Sequence, residues 1–238
     1  MKQERANSEH VLLLDAGNAL FGNKSLVQKT QGQVIVEAMN LLGYDAMLLG
    51  DQDFRLDLDV LRQRMEEAEF PILSANAVVA GTDQLFATPY VIKEIEGHKA
   101  AIIGLTSEEA ANAAGGAIVV RNPLEALQDA RDEVSKGTDV VIVLSNLGTA
   151  MDMQMAGEVQ GIDLIIGGGS RTVLDPPLWN EPSRTVVAQA GYQGEWIGVV
   201  SLEMDEQGTV VGHKAAVVPL TEEFADDPEM RAFLDQYE

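Results

Sequence analysis

The chain has 238 residues, of which 46% are hydrophobic and 23% charged, values typical of a globular protein with a substantial buried core. Its 38 acidic residues against 16 basic ones give a net charge of −22, which argues against nucleic-acid binding and is compatible with a solvated acidic surface or a basic protein partner. The absence of cysteine excludes disulfides, thiolate metal sites and cysteine nucleophiles, and no apolar run reaches the length of a membrane span.

Five short apolar runs each end at a small or polar residue, and their continuous apolarity predicts strands covered on both faces. The runs are VLLLDAGN from Val11, AMLLGDQD from Ala46, AAIIGLTS from Ala100, VVIVLSNLG from Val140 and DLIIGGGS from Asp163. The predicted strands lie near residues 11–15, 45–49, 99–105, 139–145 and 162–167. Because ligands of open α/β sheets bind at the carboxyl ends of strands, we expect four polar loops to meet at one rim: 15–18, 50–53, 145–148 and 167–171.

Helix signals lie between the predicted strands. One helical face is predicted by the spacing of Leu58, Leu61, Met65 and Ala68. A second helix is predicted to begin at the cap Asn122 with Pro123 in its first turn, and to stop before Gly137. Strands that alternate with helices indicate a layered α/β protein.

Antiparallel hairpins are predicted at the margins of this arrangement. VIKEIEGHKAAII predicts two strands joined by a Glu-Gly turn. From about Thr185 onward, WIGVVSLEMDEQGTVVGHKAAVV predicts a second pair joined by Asp-Glu-Gln-Gly. We therefore expect mixed sheets, with parallel pairing in the middle.

The same loops resemble a series of known motifs in order. LLLDAGNALFGN resembles Asp-Ala-Gly-Asp-x-x-Gln-Gly, and MNLLGYDAMLLGDQDF resembles Met-Asn-x-Leu-Gly-Tyr-Asp-Ala running into Gly-Asn-His-Glu-Phe. FPILSANAV, VIVLSNLG and GIDLIIGGGSRT are similar to Leu-Ser-Ala-Asn, Leu-Ser-His-Leu-Gly and Gly-Ile-Asp-Leu-Ile-Ile-Gly-Gly-His-Ser-His-Thr. Over essentially its whole length the chain is thus similar to the metallophosphatase domain of the 5′-nucleotidase and UDP-sugar hydrolase family, a branch of the calcineurin-like phosphoesterases. The resemblance implies a four-layer α/β/β/α sandwich.

The resemblance also implies a two-metal centre held by aspartate, asparagine and histidine side chains at the loop tips. At the corresponding positions this chain carries other residues: Asn18 for the bridging aspartate, Asp51 and Gln52 for an Asn-His pair, and Asn146, Gly169 and Arg171 for three histidines. We interpret these six residues as a vestigial pocket with no catalytic residue and predict no metal cofactor. The alternative is a hard oxygen site for Mg²⁺ or Ca²⁺ formed by Asp51, Asn18 and Asn146.

The resemblance further implies what lies at the two ends. Relative to the family, the opening Asp-x-His strand and the C-terminal nucleotide-recognition domain are absent, so we expect one metallophosphatase-like domain over residues 1–238. Without the opening strand, the sheet would be left with a gap that another segment or a partner has to fill. Relatives of this kind are usually periplasmic or extracellular, but residues 1–10 show no leader, so the compartment stays unassigned.

Three functional hypotheses follow from these residues. The leading one is a catalytically degenerate metallophosphatase-fold protein that acts as a binding or assembly component, with Arg171 paired to Asp51 in place of the metals. The second is a phosphoric ester hydrolase, such as a 5′-nucleotidase, that uses a rebuilt metal site. The third is a metal-free phosphate or sulfate binder in which Arg171 and backbone N–H groups hold the anion. The sequence leaves the oligomeric state open.

Overall fold

The computed structural model describes residues 11–95, 97–205 and 209–237, and they form an α/β fold with mixed sheets. The strands are β1 Leu14–Asp15, β2 Ala46–Leu48, β3 Ile72–Leu73, β4 Ala77–Val79, β5 Tyr90–Ile95, β6 His98–Leu105, β7 Ile118–Val120, β8 Val140–Ser145, β9 Leu164–Gly167, β10 Leu178–Asn180, β11 Thr185–Ala188, β12 Trp196–Met204 and β13 Val210–Pro219. The α-helices are α1 Ser25–Lys29, α2 Gln33–Leu42, α3 Leu58–Glu67, α4 Glu109–Ala113, α5 Pro123–Val134, α6 Thr149–Glu158 and α7 Pro228–Leu234.

A six-stranded sheet forms one layer, in the order β10-β11-β9-β8-β6-β5. Its four inner strands run parallel to one another, whereas the edge strands β5 and β10 are antiparallel to them. A parallel sheet of β1, β2 and β3 and an antiparallel ribbon of β12 and β13 are separate from it, and β4 pairs with β7. The predicted pattern of parallel pairing in the middle and antiparallel pairing at the margins is therefore confirmed.

Alternating side chains of the two main sheets create a layered core. In β8, Val141 and Val143 pack with α5 and α6, while Ile142 and Leu144 point to the other side. There they meet Leu48 of β2, whose neighbour Met47 faces α2 and α3. The order of layers is thus helices, sheet, sheet, helices, as the family resemblance implied.

The predicted helices have the expected boundaries and buried faces. The Asn122 side chain caps α5 by accepting a hydrogen bond from the Leu124 N–H at 2.9 Å, and the helix ends at Val134. In α3, Leu61 is fully buried and Met65 is partly buried against the same apolar cluster. Within the described ranges, none of the helices combines the length and apolarity needed to cross a membrane.

One predicted strand is shorter than expected, and one predicted turn lies partly outside the described residues. The first strand is shorter than predicted, since only Leu14 and Asp15 pair with β2, and β1 has no second strand neighbour among the described residues. The Leu13 N–H donates to the Asp45 side chain at 2.9 Å, so the pairing with β2 begins only at Leu14. The β5–β6 hairpin is confirmed by antiparallel pairing, whereas the predicted Asp-Glu-Gln-Gly turn includes residues 206–208, outside the described residues.

Candidate functional site

The four predicted loops meet at one rim. The Asp51 N–H donates a hydrogen bond of 2.9 Å to Asn146 Oδ1, which joins the second loop (50–53) to the third (145–148). The Gly168 N–H donates to the Ser145 carbonyl at 2.8 Å, which joins the third loop to the fourth (167–171). A Cβ on Gly168 would lie 2.7 Å from the carbonyl oxygen of Ala16, so the fourth loop also contacts the first (15–18). We call this cluster of four loops the rim.

Side chains of the first two loops are hydrogen-bonded to one another at the rim. Asn18 Nδ2 donates to Asp51 Oδ1 at 3.0 Å, and the Gln52 N–H donates to Asn18 Oδ1 at 2.8 Å. The Gln52 side-chain amide donates to the second oxygen of Asp51, and Arg55 donates to Gln52 Oε1 at 3.0 Å. Both carboxylate oxygens of Asp51 therefore accept hydrogen bonds from neighbouring amides.

This contact depends on glycine and on an unusual backbone conformation. Asn18 has a φ of 69°, a left-handed conformation that asparagine and aspartate tolerate better than other side chains. Its side chain lies over Gly50, where a Cβ would be only 2.1 Å from Asn18 Oδ1. The glycine of the second loop is thus required for the approach of Asn18.

Asp53 forms a buried junction beneath these side chains. Its carboxylate accepts backbone hydrogen bonds from Asn18 at 2.9 Å, Leu20 at 2.8 Å and Gly50 at 2.9 Å. Burial raises the pKa of Asp53 to about 7, although the three N–H donors lower it, and the nearby Asp15 raises it further. Removal from water likewise raises the pKa of Asp15 to about 6, against the effect of a hydrogen bond from the Gly17 N–H.

A second polar group lies beneath the third and fourth loops. The Ser145 hydroxyl donates to Asp152 Oδ1, and burial raises the pKa of Asp152 to about 7. The buried Gln189 amide, oriented so that both its ends are satisfied, donates to Ser170 Oγ at 2.8 Å and accepts from the Arg171 N–H at 2.8 Å. These contacts fix the backbone of the fourth loop against the β9–β11 part of the sheet.

The structure brings together four of the six residues predicted for the pocket, namely Asn18, Asp51, Gln52 and Asn146. Gly169 contributes backbone only, since a Cβ there would lie 2.5 Å from the Asn146 carbonyl oxygen. Arg171 is exposed with a φ of 54°, and among the described residues it forms no ion pair with Asp51. The predicted Asp51–Arg171 pair is therefore wrong: Asp51 is hydrogen-bonded to the amides of Asn18 and Gln52, and the left-handed backbone at Arg171 is held by Gln189.

Reasoning from the sequence missed the buried part of the site. Asp53, Asp152, Ser145 and Gln189 are not among the predicted residues. For Asp53 and Ser145 a signal was available, because each lies within a loop that follows an apolar strand. Asp152 and Gln189 come from a helix and a strand end, and only the folded arrangement brings them under the rim.

Comparison with known proteins shows relatives that match the whole chain. The trifunctional nucleotide phosphoesterase protein YfkN of Bacillus subtilis (strain 168) is 31% identical over 277 residues, covering 100% of this chain and 19% of that protein. The human 5′-nucleotidase is 29% identical over 261 residues, covering 100% of this chain and 45% of that protein. The crystal structure of a 5′-nucleotidase precursor from Thermus thermophilus has a TM-score of 0.89 at 26% identity, covering 99% of this chain and 50% of that one. No protein-family model matches the chain.

The curated relatives and structural neighbours of this chain are 5′-nucleotidases and calcineurin-like phosphoesterases, which confirms the resemblance identified from the sequence. The chain spans less than half the length of the curated relatives compared above. The nature of these relatives overturns one expectation from the sequence. Members of that family are metal-dependent phosphoesterases. The prediction of no metal cofactor is therefore wrong.

The rim residues allow a test of whether a metal pair fits this chain. Asp51 is the one carboxylate in the side-chain cluster of Asn18, Asp51, Gln52 and Asn146, and its oxygens accept amide hydrogen bonds. The Nδ2 of Asn146, a donor rather than a ligand, is buried without a partner in the described structure. In residues 11–95, 97–205 and 209–237, no three His, Cys, Asp or Glu side chains are grouped so as to hold a metal ion. The described donor set does not fit a two-metal centre.

Proposed function

We propose that this chain uses the phosphoesterase fold as a binding or assembly component and does not hydrolyse phosphate esters at the rim. The observation that supports this proposal is the hydrogen-bonded cluster of Asn18, Asp51 and Gln52, in which the oxygens that could act as ligands accept hydrogen bonds from neighbouring amides. Two-metal hydrolysis requires side chains that bind two metal ions, and those ions activate a water and stabilise the phosphoryl charge. At two of the expected histidine positions stand Gly169, which has no side chain, and Arg171, whose permanent positive charge prevents it from binding a metal.

The proposal extends to the kind of partner. A net charge of −22 would attract a basic protein surface and repel nucleic acid at moderate ionic strength.

We also propose that residues 1–238 act as one metallophosphatase-like domain.

A hydrolysis assay tests the proposal directly. The purified chain is incubated with p-nitrophenyl phosphate and with adenosine monophosphate, separately with Mg²⁺, Mn²⁺, Zn²⁺ and Ca²⁺. We expect no turnover above that of Asp51→Asn, which removes the single carboxylate of the side-chain cluster. The matched control is Asp226→Asn, the same chemical change at an exposed position. Metal-stimulated turnover that Asp51→Asn abolishes and Asp226→Asn retains would establish a hydrolase with a rebuilt site, which the nature of these relatives favours.

A metal-free anion binder is the second candidate, and the exposure of Arg171 favours it. Its guanidinium forms no ion pair within the described parts of the chain, and its backbone is fixed by Gln189. Calorimetric titration with inorganic phosphate and sulfate distinguishes this candidate. Saturable binding that Arg171→Ala removes would support it, and absence of heat in the wild type would discard it.

A further inference from the structure

The contact between Asn18 and Asp51 reverses the order of residues that the family resemblance implies. There an aspartate is expected at position 18 and an asparagine at position 51, whereas this chain has Asn18 and Asp51. Asn18 Nδ2 donates to Asp51 Oδ1 at 3.0 Å, so an amide proton lies between two positions whose side chains would otherwise converge on a cation. This one contact is thus the main reason why the side chains of the rim do not fit a metal pair.

We propose that Asn18 and Asp51 form a latch that joins the first and second loops by a hydrogen bond, at the place where the family joins them through a metal. This inference concerns how the rim is held together, and it rests on the proposed function in that no metal joins these two loops. The latch is charge-assisted because its acceptor is a carboxylate, which makes it stronger than a hydrogen bond between two neutral groups. Every polar side-chain atom of the pair is used, since Asn18 Oδ1 accepts from the Gln52 N–H and Asp51 Oδ2 accepts from the Gln52 side chain.

Changing Asn18 to aspartate isolates the electrostatic part of the latch. Aspartate tolerates the left-handed backbone at this position as asparagine does, so Asn18→Asp changes the charge with little added strain. It replaces the donor with an oxygen, and two carboxylate oxygens would then face each other across the distance of 3.0 Å now spanned by the hydrogen bond. Like charges at this separation repel strongly, and a bound divalent cation would relieve the repulsion.

Exchanging both residues should restore the latch. In the double variant, which combines Asn18→Asp with Asp51→Asn, the carboxylate at position 18 can accept from both the Gln52 N–H and the amide at position 51. The amide oxygen at position 51 can still accept from the Gln52 side chain. The double variant therefore satisfies the same hydrogen-bonding groups with donor and acceptor reversed, so its stability should lie much closer to the wild type than that of N18D.

The test compares unfolding midpoints of the wild type, N18D, D51N and the double variant, each with a chelator and then with Mg²⁺ or Ca²⁺. With the chelator, we expect N18D to unfold about 3 to 12 °C below the wild type, because it loses a hydrogen bond to a charged group. We expect the double variant to recover most of this loss. Mg²⁺ or Ca²⁺ should raise the midpoint of N18D and leave the wild type unchanged.

Two controls separate the latch from general effects. Asn112→Asp adds the same charge at an exposed helix position, so it should change neither the midpoint nor its response to cations. Asn18→Gly removes the amide at a φ that glycine adopts freely, and should destabilise even if N18D fails to fold. A wild-type midpoint that rises by several degrees with Mg²⁺ or Ca²⁺, a double variant no more stable than N18D, or an Asn18→Gly variant as stable as the wild type would each overturn the proposal.

Discussion

The hydroxyl of Ser145 lies 2.5 Å from a carboxylate oxygen of Asp152 in the fully buried layer beneath the rim. The second oxygen of Asp152 has no hydrogen-bond partner among the described residues. A charged carboxylate in this position would be costly, and burial accordingly raises the pKa of Asp152 to about 7. The carboxyl therefore titrates near physiological pH, where its neutral form is far more populated than that of an ordinary aspartate.

The raised pKa of Asp152 predicts how stability depends on pH. The folded state binds the proton of the Asp152 carboxyl more tightly than the unfolded chain does, where the pKa of an aspartate is near 3.8. The stability that this group contributes therefore falls as the pH rises from 3.8 to about 7. We expect the unfolding midpoint to increase when the pH is lowered from about 8 to about 5. Asp152→Asn, which keeps an acceptor for Ser145, should reduce this dependence.

The control for this prediction is Asp226→Asn, which removes a charge at an exposed site. Both variants relieve the repulsion of a strongly acidic protein, but only Asp152→Asn removes a buried titrating group. Thermal unfolding at a series of pH values measures the difference. Equal pH profiles for the two variants would show that Asp152 does not titrate as the structure indicates.

A second prediction concerns the buried junction at Asp53. Asp53→Ala leaves three backbone N–H groups without their acceptor, those of Asn18, Leu20 and Gly50. Each unsatisfied buried donor costs about 1 to 3 kcal/mol, so the free energy of unfolding should fall by at least about 3 kcal/mol. Urea denaturation measures the loss, and Asp226→Ala serves as an exposed control. A loss below about 1 kcal/mol would mean that water replaces the carboxylate at these N–H groups.

The pattern of apolar residues predicted the main strands and helices because the physics involved is local, whereas the order of the four layers was implied by the family resemblance. Continuous apolar runs such as the one in β8 predicted strands covered on both faces, and the structure buries all of Val140–Ser145. The cap Asn122 and its following proline likewise marked the start of α5 correctly. Loop positions followed from strand ends, so the convergence of Asn18, Asp51 and Asn146 could be anticipated.

The contacts that the sequence did not reveal depend on how backbone and side-chain groups are oriented in the folded chain. Arg171 and Asp51 are on neighbouring loops, but the backbone at Arg171 is left-handed and held by Gln189, so the guanidinium does not reach the carboxylate. The burial of Asp53 under the first loop was also missed. Nothing in the spacing of the GDQDF segment shows that three backbone N–H groups converge on Asp53. Such contacts arise from tertiary packing rather than from periodicity.

A third prediction tests the cap that begins α5. Asn122 accepts hydrogen bonds from the N–H groups of Leu124 and Glu125, so Asn122→Ala leaves both without that partner. We expect a loss of about 1 kcal/mol, which corresponds to a fall of about 2 to 4 °C in the midpoint of a protein this size. Asn122→Asp should keep most of the stability because aspartate also caps helices. Differential scanning calorimetry of the three proteins checks the order, and an alanine variant as stable as the wild type would contradict it.

The last prediction tests how closely the third and fourth loops approach. A Cβ on Gly169 would lie 2.5 Å from the Asn146 carbonyl oxygen and 2.8 Å from the Gly148 nitrogen, both of them backbone atoms. Since backbone yields less readily than the end of a side chain, Gly169→Ala should cost about 1 to 3 kcal/mol by forcing the loops apart.

Gly137→Ala is the matched control for this change, because a Cβ on Gly137 meets nothing within 4 Å and its φ is not in the left-handed region. It should be neutral or should stabilise by up to about 1 kcal/mol, since alanine restricts the unfolded chain more than glycine does. Urea denaturation of both variants gives the comparison, and amide exchange at Asp51 reports whether its hydrogen bond to Asn146 is loosened. The prediction is contradicted if Gly169→Ala is as stable as Gly137→Ala and leaves amide exchange at Asp51 unchanged. The third and fourth loops would then have room for the added Cβ.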